Sequence, residues 1–142
     1  MASVSQVSQQ NRFSPDRSLS EQEIIALSRQ GVLRSEADRV AKLVGLTDKE
    51  MAASLGISAS YLHRLKPGNR ISQDATERLL LLDNLLLHAL DTFEGRAATV
   101  AGWLRSPLRE LDFQTPLQTL DTVTGYILVE RILGRIDHGI FG

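Results

Sequence analysis

The side chains that could carry out chemistry in this sequence are its three histidines and a few acidic residues. His63, His88 and His138 have no second ligand at helical spacing, and the chain contains no cysteine, so a zinc-binding pattern is not formed. Asp91 and Glu94 lie one turn apart near a predicted helix end, where we expect both carboxylates to be solvated. We therefore predict no metal site.

Two further patterns fall short of an active site. Asp137 and His138 have no serine nucleophile motif beside them. Gly102, Gly125 and Gly134 lie within predicted helices and do not form a phosphate-binding loop. We infer that the protein is not an enzyme and uses no cofactor.

The last residues suit binding better than catalysis. Gly139 and Gly142 flank Ile140 and Phe141, beyond the last predicted helix. A turn that only closed a helix would need one glycine, so the apolar pair predicts a tail that docks somewhere. Two interpretations stay open: the pair enters a cavity of another protein, or it folds back onto the core of its own chain.

The composition is that of a globular protein whose net charge creates no strong electrostatic field. The chain has 142 residues, 42% of them hydrophobic, and a formal net charge of -1, which suits one ordinary domain or two small ones. Residues 1–16 carry Ser and Gln where a signal peptide has an apolar core. The leucine runs are far shorter than the roughly 20 apolar residues of a membrane span. We expect a soluble, cytoplasmic protein.

Hydrophobic periodicity and capping residues predict an all-α protein. Residues 1–18 have no apolar periodicity and are expected to be a disordered arm. A capping box at Ser20 begins the first helix, which should end at Gly31. A second helix is predicted to begin at Ser35 and to end at Gly45.

The next two helices have the layout of a helix-turn-helix motif. Thr47 opens a helix with a capping box, Gly56 provides the turn, and Ser58 caps a second helix that should reach Lys66. The residues that we expect to face inward are Met51, Leu55, Ile57, Leu62 and Leu65.

The outer face of the second helix is a candidate DNA-binding surface. Small residues at its front would let the backbone enter a major groove, and the cations behind them could contact bases or phosphates. The predicted DNA-binding residues are Ser58, Ala59, Ser60, His63, Arg64, Lys66 and Arg70. The alternative is a motif kept for packing that no longer binds DNA.

A long apolar helix follows, capped by Ser72 and predicted to reach Phe93. Its leucines go most of the way round, whereas a surface helix shows one apolar stripe. It is therefore covered on two sides, either by the rest of the chain or by a second copy. We favour self-association into a homodimer, through Leu79, Leu82, Leu86 and Leu90.

The C-terminal region is predicted to be helical again. A stripe from Ala97 to Leu104 ends before Pro107, with Trp103 in the core. Thr115 caps a short helix, and we expect Gly125 to let two helices approach each other. The last helix should bury Ile127 or Leu128, together with Val129, Ile132, Leu133 and Ile136.

This region resembles the Xre/MbcA/ParS family of bacterial antitoxins. The residues that carry the resemblance are Trp103-Leu104, Pro107, Leu111, Thr115-Pro116-Leu117, Leu120, Thr122, Gly125, Val129, Leu133, Ile136 and Gly139. Upstream, the helix-turn-helix and Glu77-Arg78-Leu79 of the long helix are also similar to the family. The resemblance covers about residues 31–142.

The resemblance implies a partner, a RES-domain toxin that consumes NAD or uses it to ADP-ribosylate a target. It also implies that the antitoxin C-terminus lies in or over the active-site cleft of the toxin. Ile140 and Phe141 would then fill an apolar nucleotide pocket, and the terminal carboxylate would meet the cations that hold NAD phosphates. The toxin-binding residues implied in this way are Arg135, His138, Gly139, Ile140, Phe141 and Gly142.

The predicted organisation is a helix-turn-helix domain over residues 19–71, a connecting and oligomerisation helix over 72–95, and a small toxin-binding domain over 96–142 that ends in a plug. The predicted function is that of an antitoxin of a type II toxin-antitoxin system, in a larger hetero-oligomer with its toxin, which also represses its own operon. The alternative is a stand-alone helix-turn-helix repressor whose C-terminal helices only dimerise.

Overall fold

The computed structural model describes residues 17–139. Residues 1–16 and 140–142 lie outside the described part, and with them the predicted plug residues Ile140, Phe141 and Gly142 and most of the predicted arm. The described residues form eight α-helices and a short 3-10 helix without any strand, so the predicted all-α fold is confirmed. Within residues 17–139, no helix combines the length and the apolarity needed to cross a membrane.

The helices follow one another closely along the chain. In order they are α1 (Glu21–Gln30), α2 (Arg34–Val44), α3 (Asp48–Leu55), α4 (Ala59–Arg64), α5 (Gln73–Thr92), α6 (Ala97–Leu104), α7 (Pro116–Thr119) and α8 (Val123–Asp137), with the 3-10 helix at Arg109–Leu111 between α6 and α7.

Side chains cap most of the helix starts, and the sequence predicts all of these caps except the one at Thr122. Complete capping boxes open α1, α3 and α7, because each N-cap hydroxyl accepts a backbone N–H and the third helical residue reaches back to the cap. Simple hydroxyl caps open α4, α5 and α8. The capping residues are Ser20, Thr47, Ser58, Ser72, Thr115 and Thr122.

The start of α2 differs from the prediction. The helix begins at Arg34, and its N-cap is Leu33, whose side chain cannot accept a hydrogen bond. The backbone N–H groups of Arg34 and Ser35 donate instead to the carbonyl oxygens of Asn69 and Pro67, at 2.7 and 3.2 Å. The helix therefore begins one residue before the predicted Ser35, and a loop far along the chain satisfies its first donors.

The end of α4 also differs from the prediction. The helix was expected to reach Lys66 and ends at Arg64. Lys66 precedes Pro67, which disfavours helical backbone at Lys66. The Lys66 N–H donates to the side-chain oxygen of Asn69 at 2.8 Å, so a turn replaces the last helical residues.

The long helix α5 is the centre of the core. It packs against α1, α2 and α3 on the N-terminal side and against α6 and α8 on the C-terminal side. Leu79, Leu82 and Leu86 are 0% exposed in the single chain, and Leu90 is half-buried. The prediction that these leucines form a subunit interface is wrong for the first three, because the helices of their own chain already cover them. The division into domains at residues 71–72 and 95–96 stays a prediction.

The two polar residues that interrupt the leucine runs of α5 each hold a neighbouring element. Asp83 is buried, and Arg39 of α2 donates to its Oδ2 at 3.0 Å. Asn84 forms two 2.8 Å hydrogen bonds with the backbone N–H and carbonyl of Leu19, just before α1. Both polar side chains thus position the N-terminal helices on α5.

The start of α8 lies very close to the end of α7. A Cβ atom on Gly125 would lie 1.6 Å from the carbonyl oxygen of Thr119, so a side chain does not fit there. The predicted role of Gly125 in a close approach is confirmed. Of the two apolar residues that the sequence could not separate, Leu128 is partly buried and Ile127 is 53% exposed.

Candidate functional site

The helix-turn-helix motif consists of α3, the turn at Gly56, and α4. Gly56 has φ 71 in the left-handed region, which favours glycine. The Ser58 hydroxyl accepts the N–H of Tyr61 at 3.0 Å and so fixes the start of α4. The predicted inward face is confirmed: the residues that are buried or half-buried are Met51, Leu55, Ile57, Leu62 and Leu65.

The outer face of α4 is open to solvent. The predicted residues Ala59, Ser60, His63, Arg64 and Lys66 are all exposed. A shallow concavity of about 520 Å³ lies along this face, and its walls are Asp48, Lys49, Ala59, Ser60, His63 and Arg64.

The concavity contains two residues of α3 that the sequence analysis missed. Lys49 adds a cation beside Arg64, whereas Asp48 adds a carboxylate whose Oδ2 is 3.7 Å from Nδ1 of His63. The spacing of these residues in the sequence does not reveal them, because it is the folded helix-turn-helix that places the first turn of α3 beside α4. The surface is therefore basic with one acidic neighbour.

Two of the predicted DNA-binding residues have structural partners. The Arg70 guanidinium donates to the Gly31 carbonyl at 2.5 Å, which ties the loop after α4 to the end of α1. The hydroxyl of Ser58 is the cap of α4. The cations left pointing to solvent on this surface, within residues 17–139, include Lys49, Arg64 and Lys66.

The end of α8 carries the described part of the predicted toxin-binding group. Arg135 is half-buried, and His138 and Gly139 are exposed. The His138 backbone N–H donates to the Gly134 carbonyl at 3.2 Å, and Nδ1 of the ring lies 2.7 Å from the same oxygen. Gly139 has φ 68 and ends the helix. The other predicted members, residues 140–142, lie outside the described residues.

A cluster around His88 fastens α8 to α5 close to this end. Nδ1 of His88 lies 2.6 Å from Oε2 of Glu130, and Nε2 lies 2.6 Å from Oδ2 of Asp137. The Thr92 hydroxyl donates to the second oxygen of Asp137, also at 2.6 Å. We call His88, Thr92, Glu130 and Asp137 the His88 clamp.

The clamp favours a protonated histidine. Partial burial lowers the pKa of His88, but the hydrogen bonds to Asp137 and Glu130 outweigh it, and the pKa is raised. The hydrogen bonds from Thr92 and His88 lower the pKa of Asp137. Sequence spacing could not reveal this cluster, since the two carboxylates are 42 and 49 residues away from His88. Among the described side chains, no group of His, Cys, Asp and Glu is arranged to hold a metal.

Polar contacts also join the helix-turn-helix to the C-terminal helices. Arg105, which follows the last residue of α6, binds both carboxylate oxygens of Glu50 in α3, each at 2.8 Å. The buried Tyr126 of α8 donates its hydroxyl to the Ser54 carbonyl of α3 at 3.2 Å. Arg78 of α5 donates to the Asp121 carbonyl at 2.7 Å. The helix-turn-helix and the end of α8 therefore belong to one packed unit.

Comparison with known proteins identifies both halves of this unit. A family model of the antitoxin Xre-like helix-turn-helix domain matches residues 23–82. A model of the antitoxin Xre/MbcA/ParS C-terminal toxin-binding domain matches residues 88–139. The first match ends within α5 and the second begins within it, and together they cover nearly all of the described residues.

Curated relatives carry names that agree with these models. A protein of Photorhabdus laumondii named Antitoxin Xre is 35% identical over 81 residues, which is 57% of this chain and 55% of the relative. Antitoxin Xre of Yersinia enterocolitica is 27% identical over 73% of this chain and 71% of its own length. A Sphingobium protein named Prs ADP-ribosylating antitoxin is 28% identical over 82% of this chain and 79% of its own length.

Proposed function

Because this chain belongs to the Xre/MbcA/ParS antitoxin family, we propose that it is the antitoxin of a type II toxin-antitoxin system and neutralises a RES-domain toxin that acts on NAD. The observation that carries the proposal is the match of residues 88–139, which include α6 to α8, to the toxin-binding domain of the family. The name of the Sphingobium relative supports a toxin with ADP-ribosylating activity. The proposal gives this chain a binding role and no catalytic one.

In this proposal the chain segment after α8 blocks the active site of the toxin. The His88 clamp holds the last turn of α8 on α5, since Asp137 is bound by both His88 and Thr92. His138 and Gly139 follow at once and are exposed. A rigid helix end lowers the entropic cost of placing the residues that come after it in a cleft. We assign contacts with the toxin to Arg135 and residues 138–142.

An inhibition assay with the cognate RES-domain toxin tests this mechanism. The rate of NAD consumption is measured against increasing antitoxin, for the full chain and for a variant that lacks Ile140, Phe141 and Gly142. We expect the shortened protein to lose its inhibition of the toxin even at concentrations at which it still binds the toxin. A His63→Ala variant, altered on the exposed face of α4, should inhibit like the full chain. Complete inhibition by the shortened protein would exclude the plugging mechanism.

We also propose that the helix-turn-helix binds the promoter of the protein's own operon. The exposed cations Lys49, Arg64 and Lys66 support this proposal, because phosphate contacts from such residues supply most of the non-specific affinity for DNA. A homodimer would place two motifs on two half-sites. Its contacts would come from surfaces other than the buried leucines Leu79, Leu82 and Leu86.

The competing function is that of a repressor without a toxin partner. It shares the helix-turn-helix and gives the C-terminal helices no role except dimerisation. Co-purification from the native host separates the two functions, since an antitoxin carries a RES-domain protein with it and a stand-alone repressor does not.

A further inference from the structure

Phe113 is the most exposed large apolar side chain of the described residues. It lies in the loop between the 3-10 helix and α7, and it is 70% exposed. Its ring therefore contributes little to the core of its own chain. Single exposed apolar residues are common on protein surfaces, so exposure alone gives no function.

The backbone of this loop adds a second observation. Asp112 has φ 53 and Phe113 has φ 65, both in the left-handed region. Aspartate is tolerated in this region, but a bulky residue such as phenylalanine is rarely found there, because its Cβ crowds the backbone. The backbone at Phe113 thus has an unfavourable conformation, although its aromatic ring is exposed to solvent. Strained residues of this kind cluster at binding sites.

The rest of the loop keeps this conformation in place. The Leu108 N–H donates to the Gln114 carbonyl at 3.0 Å, and the Phe113 N–H donates to the Leu108 carbonyl at 2.9 Å. Leu111 and Pro116, on either side of the loop tip, are buried. These contacts hold the backbone of Phe113 in place. Binding of a partner to the ring therefore costs little entropy from ordering the loop.

We propose that Phe113 is an anchor that enters an apolar pocket on the toxin and helps to select the cognate toxin. This inference rests on the proposed antitoxin function. Aromatic side chains presented on a rigid backbone are typical hot spots of protein interfaces. Phe113 lies before α7, whereas the tail follows α8. The anchor would therefore add affinity for the toxin without blocking its active site.

Two features favour the toxin as the occupant. Phe113 lies inside residues 88–139, which match the toxin-binding domain. The neighbouring exposed residues Glu110 and Asp112 outnumber Arg109 in charge, which disfavours DNA and suits a pocket with a cationic rim.

Binding measurements on matched variants test the anchor. Phe113→Asn removes the ring while asparagine tolerates the left-handed backbone, and Phe113→Tyr keeps an aromatic ring. Ile25→Ala removes another exposed apolar side chain, 50% exposed on α1 and outside residues 88–139. Calorimetry with the cognate RES-domain toxin gives Kd for each, and thermal unfolding gives Tm.

We expect Phe113→Asn to weaken toxin binding roughly tenfold or more, as for a hot-spot residue. Phe113→Tyr and Ile25→Ala should bind within about threefold of the unchanged protein, since either keeps the anchor. The Tm of Phe113→Asn should stay equal or rise, because the exposed ring supports no core and the strain is relieved. An unchanged Kd for Phe113→Asn overturns the anchor while leaving the antitoxin function intact.

Three other results would overturn the inference in different ways. A Tm lowered by several degrees in Phe113→Asn would show that the ring stabilises its own chain. A lower mass of Phe113→Asn than of the unchanged protein, both measured without toxin by light scattering, would show that the ring joins two copies. Failure of the unchanged protein to bind any RES-domain toxin would overturn the antitoxin function itself, and the anchor with it.

Discussion

Arg105 pairs with the same Glu50 carboxylate that closes the capping box of α3. Its Nε and Nη2 each donate to Glu50 at 2.8 Å, while the Thr47 N–H donates to Oε1 of Glu50 at 2.9 Å. Nη2 also donates to the Gly45 carbonyl at 3.0 Å. The first helix of the helix-turn-helix is therefore fixed at its N-terminus by a residue of the C-terminal region.

Replacing Glu50 by Gln should separate the two roles of this side chain. Glutamine can still accept the Thr47 N–H, but the charge pair with Arg105 is lost. The hydrogen bonds from Arg105 are the main reason that the pKa of Glu50 is lowered from 4.5 to about 2. Since a partly exposed pair contributes modestly, we expect Glu50→Gln to lower the free energy of unfolding by about 0.5–1 kcal/mol at pH 7.

The sign of the pH dependence follows from the lowered pKa. Stability from an acid whose folded pKa is depressed is complete above the unfolded pKa and is lost as the pH falls toward the folded one. The difference between Glu50→Gln and the unchanged protein should therefore shrink between pH 5 and pH 3, in chemical denaturation at constant salt. An equal difference at both pH values would contradict this assignment.

The His88 clamp should act in the opposite direction. Because the folded pKa of His88 is raised, its stabilisation is complete below the unfolded value of 6.5 and is lost as the pH rises through the folded value. The ring nitrogens of His88 meet Glu130 and Asp137 of α8, and Thr92 of α5 donates its hydroxyl to Asp137. Thermal unfolding should show His88→Gln most destabilised at pH 6 and less so at pH 9. A loss that grows with pH would exclude a charged His88.

Two glycines of α8 make a matched pair for a stability test. Gly125→Ala would place Cβ 1.6 Å from the Thr119 carbonyl, so we expect a loss of roughly 3 kcal/mol or failure to fold. Around Gly134 no heavy atom beyond its own helix and chain neighbours is described within 4 Å of a Cβ, and alanine there should stabilise by about 0.5–1 kcal/mol. Urea denaturation of both variants measures the difference. Equal effects would contradict the close approach of α7 and α8.

Arg64→Ala should weaken DNA binding evenly across sequences if the guanidinium contacts a phosphate. Loss of one such contact lowers the slope of log K against log salt by about 1. Gel shifts with operon promoter DNA at several salt concentrations give the slope. Arg29→Ala, which removes an exposed cation on α1, is the control and should leave the slope unchanged. Identical slopes for the two variants would remove Arg64 from the DNA surface.

Local features of the fold were predictable because their causes are local. Ser20, Thr47 and Thr115 carry their capping boxes within four residues, and Gly56 needs only its own backbone angle to form the turn. The Trp103 ring was expected in the core, and it is half-buried with its centroid 5.7 Å from that of Phe93. Short-range chemistry is enough to derive such features from a sequence.

The missed features depend on residues that are distant in the chain. The sequence shows neither that Asn69 and Pro67 satisfy the first turn of α2, nor that Glu130 and Asp137 meet at His88. The apolar leucines of α5 predict burial without saying whether the cover is the same chain or another. The backbone of Phe113 is set by the loop around it, and composition does not reveal a left-handed residue.

The placement of α5 limits how this protein can diversify. Helices of both the N-terminal and the C-terminal half pack on this one uninterrupted helix. A chimera joined at either end of it would therefore pack its buried leucines against helices from another protein, which do not match them. A protease should likewise find no hinge to cut between the halves. New toxin preferences are then easier to acquire by substitutions in surface loops than by recombining whole modules.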